Sequence, residues 1–351
     1  MTELSVVLIT RNQAWNISRL IESVVRGTLC VPSVEIVLVD SASTDETVEL
    51  AERYPVSIVR LRPGQRLSPA IGRYVGYKQT LGKYVLFLDG DTQLIAGWLP
   101  EALRTMGETP DLGAVTGNVI NLPTSAVAQV RAASVLKTQT APPKEVLWCN
   151  YGGGGAALYR RAVLEQVGTF NPYLSSEEEP ELGLRIRHGG YRILELCNPM
   201  AYHFNDAPVA LSTVLSRRRR RFHLGMGQAA RYHLGTKLFW HWLKERWWEP
   251  AAALLVASGL GALFMSLITR MFIPLGLWVL AFLAIIVCTA IRKRSIRAAF
   301  VAAFSWFTMS EGFLRGFLMK PLPPESFGAN MEPGEHSSGG ASLFANAPRL
   351  D

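Results

Sequence analysis

Two phosphate-binding signatures are absent from this chain of 351 residues. The first predicted strand is not followed by Gly-x-Gly-x-x-Gly, and the sequence contains no Walker-type glycine-rich loop. Those motifs bind the phosphates of dinucleotides and of ATP through backbone amides at the start of a helix. Their absence argues against a nicotinamide-dependent dehydrogenase and against a P-loop ATPase.

Cysteine is scarce, and a secretory leader is not evident. The cysteines show neither paired nor metal-ligand spacing, so we expect reduced, mostly buried thiols in a cytosolic setting. Glu3 stands where a signal peptide is basic, and Arg11 interrupts the first apolar run. We therefore expect the globular part to stay on the cytoplasmic side. The cysteines are Cys30, Cys149, Cys197 and Cys288.

The first half of the chain alternates predicted strands with predicted helices. Apolar residues at helical spacing predict helices that begin near Ile17 and Ala70, and Ser43 with Glu46 predicts a capping box. This alternation predicts an α/β fold with a mainly parallel sheet. Apolar runs predict strands at 4–9, 34–39, 56–61, 84–89 and 113–119.

The strand predicted at 84–89 ends in Asp89-Gly90-Asp91. Ligands of open α/β sheets bind beyond the carboxyl ends of the strands. Two carboxylates at one such end are costly to ionise together unless a cation lies between them. A hard divalent cation bound there keeps coordination sites free for phosphate oxygens. The pattern therefore indicates a metal–diphosphate site, and the alternative is a solvated Asp-Gly turn.

An ordered series of segments resembles the family 2 glycosyltransferases, which have a GT-A fold with a Rossmann-like, mainly parallel sheet. The resemblance covers residues 4–230, with Tyr74 where the family usually has Asn and Glu179 where it usually has Asp. The matching segments are the opening strand and nucleotide loop at 5–12, the second-strand acid at 37–45, Ala70-Ile71-Gly72-Arg73, the acidic motif at 89–91, a glycine segment at 152–161 and an acidic run at 178–185.

This resemblance implies a nucleotide-sugar site. Thr10, Arg11 and Asn12 would form its loop, together with Asp89. Asp40 would accept a hydrogen bond from the base, or else act as a turn acid that caps a helix. Arg73 would place a positive charge near the diphosphate, or else be an arginine on the surface of its helix.

The resemblance also implies a metal and a catalytic base. Asp91 would ligate Mg²⁺ or Mn²⁺, Asp89 would contact the ribose or a metal-bound water, and His203 is a candidate further ligand or a structural histidine. Inverting transfer needs a carboxylate to accept the proton of the acceptor hydroxyl. That base is Glu179 by position, with Glu178 as the second candidate, unless the run is a solvated acidic loop.

Five consecutive arginines, Arg217 to Arg221, follow the acidic run. They could close over a diphosphate or bind anionic lipid head groups. Nucleic acid is disfavoured as a partner because no nucleic-acid-binding motif accompanies the run and an apolar segment follows it.

The C-terminal third has the composition of a membrane region. Ala251 to Ile268 and Met271 to Ile291 are uncharged, and basic residues flank the hairpin that they predict. The positive-inside rule places both ends in the cytoplasm, so the catalytic domain would face the cytoplasm at the cytoplasmic membrane. Residues 298–318 are largely apolar but contain Glu311 and Arg315, and they could form a third span with an intramembrane pair or an interfacial helix. The interface is favoured because the first two spans already account for the charge bias.

The sequence thus predicts a GT-A domain at 1–235 followed by a helical transmembrane hairpin within 236–320, and a disordered tail at 321–351. The predicted function is that of an inverting glycosyltransferase that uses a nucleotide-sugar, by resemblance a UDP-sugar. Its acceptor would be lipid-linked or a membrane-proximal glycan, in polysaccharide or envelope synthesis. A catalytically degenerate scaffold stays open because of Tyr74 and Glu179. A processive synthase is disfavoured by the few spans and the absence of a Gln-x-x-Arg-Trp segment.

Overall fold

The computed structural model describes residues 2–63, 66–127, 147–151, 155–206 and 211–327. The chain divides into two compact units. The first comprises the chain up to Tyr173, the segment Glu178–Asp206 and the chain from Leu322 onwards. The second comprises Leu174–Glu177 and Ala207–Pro321.

The first unit is a mixed β-sheet covered by helices. Its strands are β1 (Leu4–Thr10), β2 (Val34–Asp40), β3 (Ser57–Arg60), β4 (Tyr84–Asp89), β5 (Thr92–Leu94), β6 (Leu112–Leu122), β7 (Leu147–Trp148), β8 (Ala156–Arg160) and β9 (Arg192–Phe204). Its helices are α1 (Ile17–Gly27), α2 (Thr47–Ala51), α3 (Pro69–Lys78), α4 (Trp98–Glu108), α5 (Arg161–Val167) and α6 (Glu178–His188).

The strand order is β3-β2-β1-β4-β8-β6-β9-β5, and β7 pairs with β9. The first four strands in this order are parallel to one another, whereas β8 runs antiparallel to both β4 and β6. Strands β6 and β9 are parallel, and β5 and β7 are antiparallel to β9. The predicted α/β fold is confirmed, with a sheet that is parallel in its first half and mixed beyond β4.

Both faces of the sheet are buried, as continuous apolar strands require. Strand β1 divides its side chains between two apolar clusters: Val6 and Leu8 belong to one cluster, and Val7 and Ile9 belong to the other. Helices α1 and α4 cover the first face, and α3, α5 and α6 cover the second. The clusters hold the carboxyl ends of β1, β2 and β4 side by side, where Thr10 lies opposite Asp40 and Ile9 opposite Asp89.

The predicted capping box at Ser43 and Glu46 is wrong. Helix α2 begins at Thr47, and Glu46 makes no capping hydrogen bond with its side chain. The Ser43 hydroxyl instead donates to Asp40, and its oxygen accepts the backbone N–H of Asn12 at 2.8 Å. A buried carboxylate is the stronger acceptor and draws the serine away from the helix.

The prediction that the cysteines are mostly buried is wrong. Cys30, Cys197 and Cys288 are exposed, and Cys149 is half-buried. Cys30 follows the end of α1, and Cys197 lies within β9. A turn and an outward-facing strand position need no apolar side chain, so cysteine is tolerated there without burial.

The second unit is helical. Its helices are α7 (Leu211–Arg219), α8 (Gly225–Tyr232), α9 (Lys237–Glu245), α10 (Trp248–Thr269), α11 (Ile273–Lys293) and α12 (Ile296–Leu318). By length and composition, α10 and α11 could each cross a membrane. Arg270 turns the chain between them in the left-handed region, with φ of 54°. The two helices contain most of the apolar runs predicted at 251–268 and 271–291, and only the first residues of the second run lie in the turn.

Glycines bring α12 close to the residues that precede α8. A Cβ on Gly312 would collide with His223, and a Cβ on Gly316 would collide with the carbonyl of Leu224. Residues 211–235, which the sequence predicts to be part of the catalytic domain, lie in the second unit.

Two predicted segments lie partly outside the described residues. They are the glycines at 152–154 and most of the predicted tail, residues 328–351. The described start of the tail forms a 3-10 turn at Pro324–Phe327, and Phe327 packs against an apolar cluster of the first unit.

Replacing Glu181 with Gln should destabilise the first unit by about 3 kcal/mol, because it removes one partner of a buried ion pair. Both Glu181 oxygens accept from Arg185 at 2.8 Å, and Glu181 is fully buried. Thermal unfolding of the purified chain measures the loss. The control Glu101→Gln breaks an exposed pair with Arg104 and should matter far less. Equal losses in the two variants would contradict this account.

Candidate active site

Asp89-Gly90-Asp91 lies against the end of β1. A Cβ on Gly90 would lie 2.8 Å from Cγ of Gln13 and 2.9 Å from Oγ1 of Thr10, so only glycine fits without movement. The Thr10 hydroxyl is buried and has no hydrogen-bond partner among the described residues. The glycine between the two acids therefore permits close approach of β1 and the acidic loop.

Asn16 holds the acidic loop in place, and sequence reasoning missed it. Its amide nitrogen donates to the carbonyls of Gly90 and Thr92, both at 2.9 Å. Gln93 donates to the Asn16 side-chain oxygen at 2.7 Å. In sequence, an Asn just before an apolar helix resembles an ordinary N-cap. Its actual partners lie more than seventy residues away, and no local pattern reports them.

The loops after β1 and β2 bind each other. Asp40 is buried and accepts both the backbone N–H of Ser43, at 2.9 Å, and the Ser43 hydroxyl. Asn12, with φ of 54°, accepts the backbone N–H of Thr44 at 2.8 Å. Arg11 is exposed. The structure thus brings the predicted nucleotide loop together, while its binding of a base stays a prediction.

Arg73 lies at the centre of an acidic cluster. Its guanidinium is buried and donates to Asp89 at 2.8 Å and to Glu179 at 3.2 Å, and it is also paired with Glu178. The Phe170 ring lies 5.3 Å from the guanidinium carbon. The alternative of an arginine on the surface of its helix is therefore wrong. The resemblance places the positive charge of Arg73 near a diphosphate, but in the structure three protein carboxylates share this charge.

Gly155 places Asp89 in this cluster. The Asp89 N–H donates to the Gly155 carbonyl at 3.0 Å, and Gly155 has φ of 72°. A Cβ at this glycine would collide with the Asp89 carboxylate. Its conformation and the lack of space both require glycine. Gly155, the last glycine of the predicted glycine segment, thus fixes the position of Asp89.

Burial sets the acidity of the cluster. Burial raises the pKa of Glu179 to about 8, although Arg73 opposes the rise, and neighbouring Glu178 and Asp89 add to it. Burial also raises the pKa of Asp89 to about 6, again against Arg73. A solvated acidic loop would not be buried in this way, so that alternative is wrong. Glu179 is a carboxylate whose proton affinity suits a base near neutral pH.

Asp91 and His203 form a second pair beside this cluster. The His203 Nε2 lies 3.5 Å from an Asp91 oxygen, and its Nδ1 lies 2.8 Å from the Asn121 side-chain oxygen. The hydrogen bond to Asp91 raises the pKa of His203, against the lowering effect of burial. The pairing of β5 with β9, which sets Thr92 opposite His203, brings the two together.

These residues fit a divalent cation that also binds an oxygen ligand from outside the protein. Asp91 Oδ1 is buried and has no hydrogen-bond partner among the described residues. The other oxygen, Oδ2, faces the His203 imidazole. A metal-binding histidine commonly donates its other ring N–H to an oxygen atom, and the Asn121 side-chain oxygen is in position to accept it. In the part of the chain that the structure describes, no three His, Cys, Asp or Glu side chains are grouped as ligands. Ligation by His203 and Asp91 remains a prediction.

The family model described as Glycosyl transferase family 2 matches residues 5–168. Glycosyltransferase AglE of Haloferax volcanii is 26% identical over 193 residues, which are 54% of this chain and 62% of AglE. The poly(ribitol-phosphate) beta-N-acetylglucosaminyltransferase TarS of Staphylococcus aureus is 26% identical over 212 residues, 58% of this chain and 35% of TarS. The chain thus spans less than two thirds of the length of these relatives.

Solved structures share the fold. The mannosyltransferase PcManGT from Pyrobaculum calidifontis, in complex with GDP-Man and Mn2+, has a TM-score of 0.55 at 19% identity, covering 90% of this chain and 87% of that one. S. aureus TarS 1-349 with UDP-GlcNAc has a TM-score of 0.50 at 21% identity, covering 69% of each chain. The predicted GT-A fold is confirmed by these structures, and residues 5–168 match the Glycosyl transferase family 2 model.

Replacing Arg73 with Gln should destabilise the first unit by about 3 kcal/mol or more near neutral pH, because it leaves buried carboxylates without their cation. Without Arg73, the folded-state pKa values of Glu179 and Asp89 rise further above their unfolded values. A raised carboxyl pKa favours folding at low pH and costs stability as pH rises. The loss relative to the parent should therefore grow between pH 5 and pH 8 in thermal unfolding.

Arg73→Lys keeps the charge and serves as the control for that measurement. It should recover part of the stability, and its loss should depend less on pH than that of Arg73→Gln. A loss that is the same at pH 5 and pH 8 in the Gln variant would contradict an electrostatic role for Arg73.

Proposed function

We propose that this chain is an inverting glycosyltransferase that moves a sugar from a nucleotide-sugar to a lipid-linked or membrane-proximal glycan acceptor. The observation that carries the proposal is the cluster in which Arg73 joins Asp89 to Glu178 and Glu179. It links the acidic motif at the end of β4 with the candidate base on the first turn of α6. The PcManGT structure contains GDP-Man and the TarS structure contains UDP-GlcNAc, so both GDP and UDP are tested below.

Glu179 is the better candidate for the base. Its side chain is 20% exposed, whereas that of Glu178 is 9% exposed, so Glu179 is the more accessible to an acceptor hydroxyl. In the proposed step the hydroxyl proton passes to Glu179. The hydroxyl oxygen bonds to the anomeric carbon as the bond to the diphosphate breaks on the opposite face. This displacement inverts the anomeric configuration.

The remaining residues position the donor. Asn12, Ser43 and Asp40 shape the loop that would bind the nucleobase and ribose of the donor. Arg73 fixes Asp89 relative to Glu179. Asp91 and His203 would hold Mg²⁺ or Mn²⁺, which would neutralise charge on the diphosphate leaving group. We further propose that the two apolar helices anchor the chain in the cytoplasmic membrane with the catalytic unit in the cytoplasm, which favours an acceptor at the membrane.

The donor class can be read from thermal stability. Detergent-purified full-length protein is heated with UDP, GDP or CMP, each with and without manganese. A ligand that binds the folded state raises its stability, by about 2.7 kcal/mol at a hundredfold excess over Kd. We expect one nucleotide to stabilise the protein in a manganese-dependent manner. Asp91→Asn should abolish the manganese dependence.

The control for that experiment is Asp111→Asn, which removes an exposed acid paired with Arg192. It should respond to nucleotide and metal like the parent. A folded parent protein that responds to none of the nucleotides would overturn the enzyme proposal and favour the degenerate scaffold.

A pH profile tests the base. Because only ionised Glu179 accepts a proton, kcat/KM for UDP or GDP release by membranes containing the full-length chain should rise with pH and level off above about 8. Glu179→Gln should lose about 10²- to 10⁴-fold in rate together with this rise. Glu178→Gln is the matched control and should keep the pH dependence. If Glu178→Gln alone removed it, the two roles would be exchanged.

A further inference from the structure

The short segment Leu174–Glu177 belongs to the second unit, although the residues on both sides of it belong to the first. Helix α8 holds its backbone. The N–H of Ser175 donates to the side-chain oxygen of Gln228 at 2.9 Å, and Gln228 is fully buried. A Cβ on Gly225 would collide with the hydroxyl and the carbonyl of Ser176, so the start of α8 lies in close contact with the segment. The chain is therefore fixed at two points just before α6 begins.

Glu177, the last residue of this segment, has an unusual backbone conformation. Its φ of 65° lies in the left-handed region, which residues with a long side chain seldom adopt. The residue before a helix normally has extended backbone instead. Helix α6 begins at the next residue, Glu178, so the turn at Glu177 sets the direction in which the helix starts. A conformation of this kind persists only where the surrounding structure imposes it.

Arg246 holds the side chain of Glu177. Its Nη2 lies 2.9 Å from a carboxylate oxygen of Glu177, and the two side chains are 14% and 21% exposed. The guanidinium carbon of Arg246 lies 5.7 Å from the ring of Trp242 and 5.3 Å from that of Trp248. Trp242 is fully buried and donates its indole N–H to the carbonyl of Met226 at 3.2 Å. Because rigid neighbours fix the arginine, its ion pair restrains Glu177.

We propose that Arg246 is a positioning residue for the glycosyl transfer: by holding Glu177 in its left-handed turn, it fixes the first turn of α6 and thereby the carboxylate of Glu179. Glu179 is the second residue of α6, so any loss of order in that turn moves its carboxylate. A displacement of about 1 Å can cost about a hundredfold in rate. This inference rests on the proposed function, because it acts through the proposed base.

Hydrogen exchange tests the effect on α6 without reference to activity. Full-length protein in detergent is compared with the Arg246→Gln variant by mass spectrometry of peptides that cover α6. The N–H groups of residues 182–184 bond back to the first turn of the helix. Fraying of that turn should therefore speed their exchange by about tenfold, while exchange at the other end of α6 changes far less. Unchanged exchange at 182–184 would overturn the proposal.

A double-mutant cycle with Glu177→Gly tests how Arg246 acts. Glycine adopts a positive φ without strain, but it removes the carboxylate that Arg246 holds. In membranes containing the full-length chain, Arg246→Gln should lower kcat for UDP or GDP release about tenfold in the parent, but less than about twofold in the Glu177→Gly background. KM for the nucleotide-sugar should stay unchanged. An equal loss of kcat in the two backgrounds would refute the proposed role.

A comparison that leaves Arg246 intact tests the turn itself. Glu177→Ala and Glu177→Gly both remove the carboxylate, but only alanine is strained at a positive φ. The alanine variant should therefore have a kcat about threefold below that of the glycine variant. Equal kcat values would show that the turn does not matter for the reaction.

Controls separate positioning from loss of folding. Glu249 is a second buried acid near Arg246, so thermal unfolding of each variant checks that the chain stays folded. Arg246→Lys keeps the charge and should recover part of the lost kcat. Lys244→Gln removes a nearby exposed charge and should behave like the parent. A parent without transfer activity would contradict the proposed function, whereas an active parent with an unaffected Arg246→Gln variant would contradict this inference alone.

Discussion

The buried guanidinium of Arg73 is the interaction on which the candidate site depends. Three carboxylates from two parts of the chain converge on it, and each would be costly to bury alone. Burial and mutual repulsion raise the proton affinity of Glu179 and Asp89, whereas Arg73 lowers it. Arg73 thus offsets part of the cost of burying these acids, and the pKa of Glu179 still lies at about 8.

The parallel half of the sheet and the position of its acids could be predicted from sequence because both depend on local pattern. Apolar runs define β1, β2 and β4, and parallel pairing then aligns Asp40 with Thr10 and Asp89 with Ile9. The antiparallel insertion of β8 between β4 and β6 leaves no such signal, because its partners are set by long connections. Register inside the sheet is local, whereas strand order is not.

Side-chain partners across the fold were the least predictable part. Asn16 resembles a cap but holds the carbonyls of Gly90 and Thr92, and Ser43 resembles a cap but binds Asp40. In both cases a buried backbone or carboxylate group and the start of a helix compete for the same polar side chain. The buried group prevails because it has fewer other hydrogen-bond partners. Sequence patterns indicate the hydrogen-bond partners that such residues can find nearby in the chain, but not the distant ones.

The departure of Glu179 from the family's usual Asp is consistent with its place on α6. Glu178, Glu179 and Glu181 all lie in the first turn, where the helix N-terminus stabilises negative charge. Glu181 is used by Arg185 within the helix, which leaves Glu178 and Glu179 for Arg73. Of these two, Glu178 has the shorter contact with Arg73 and is also the less exposed. The contact of Glu179 with Arg73 is longer, at 3.2 Å, and leaves its carboxylate more room to turn from Arg73 to an acceptor hydroxyl, which its proposed role as a base requires.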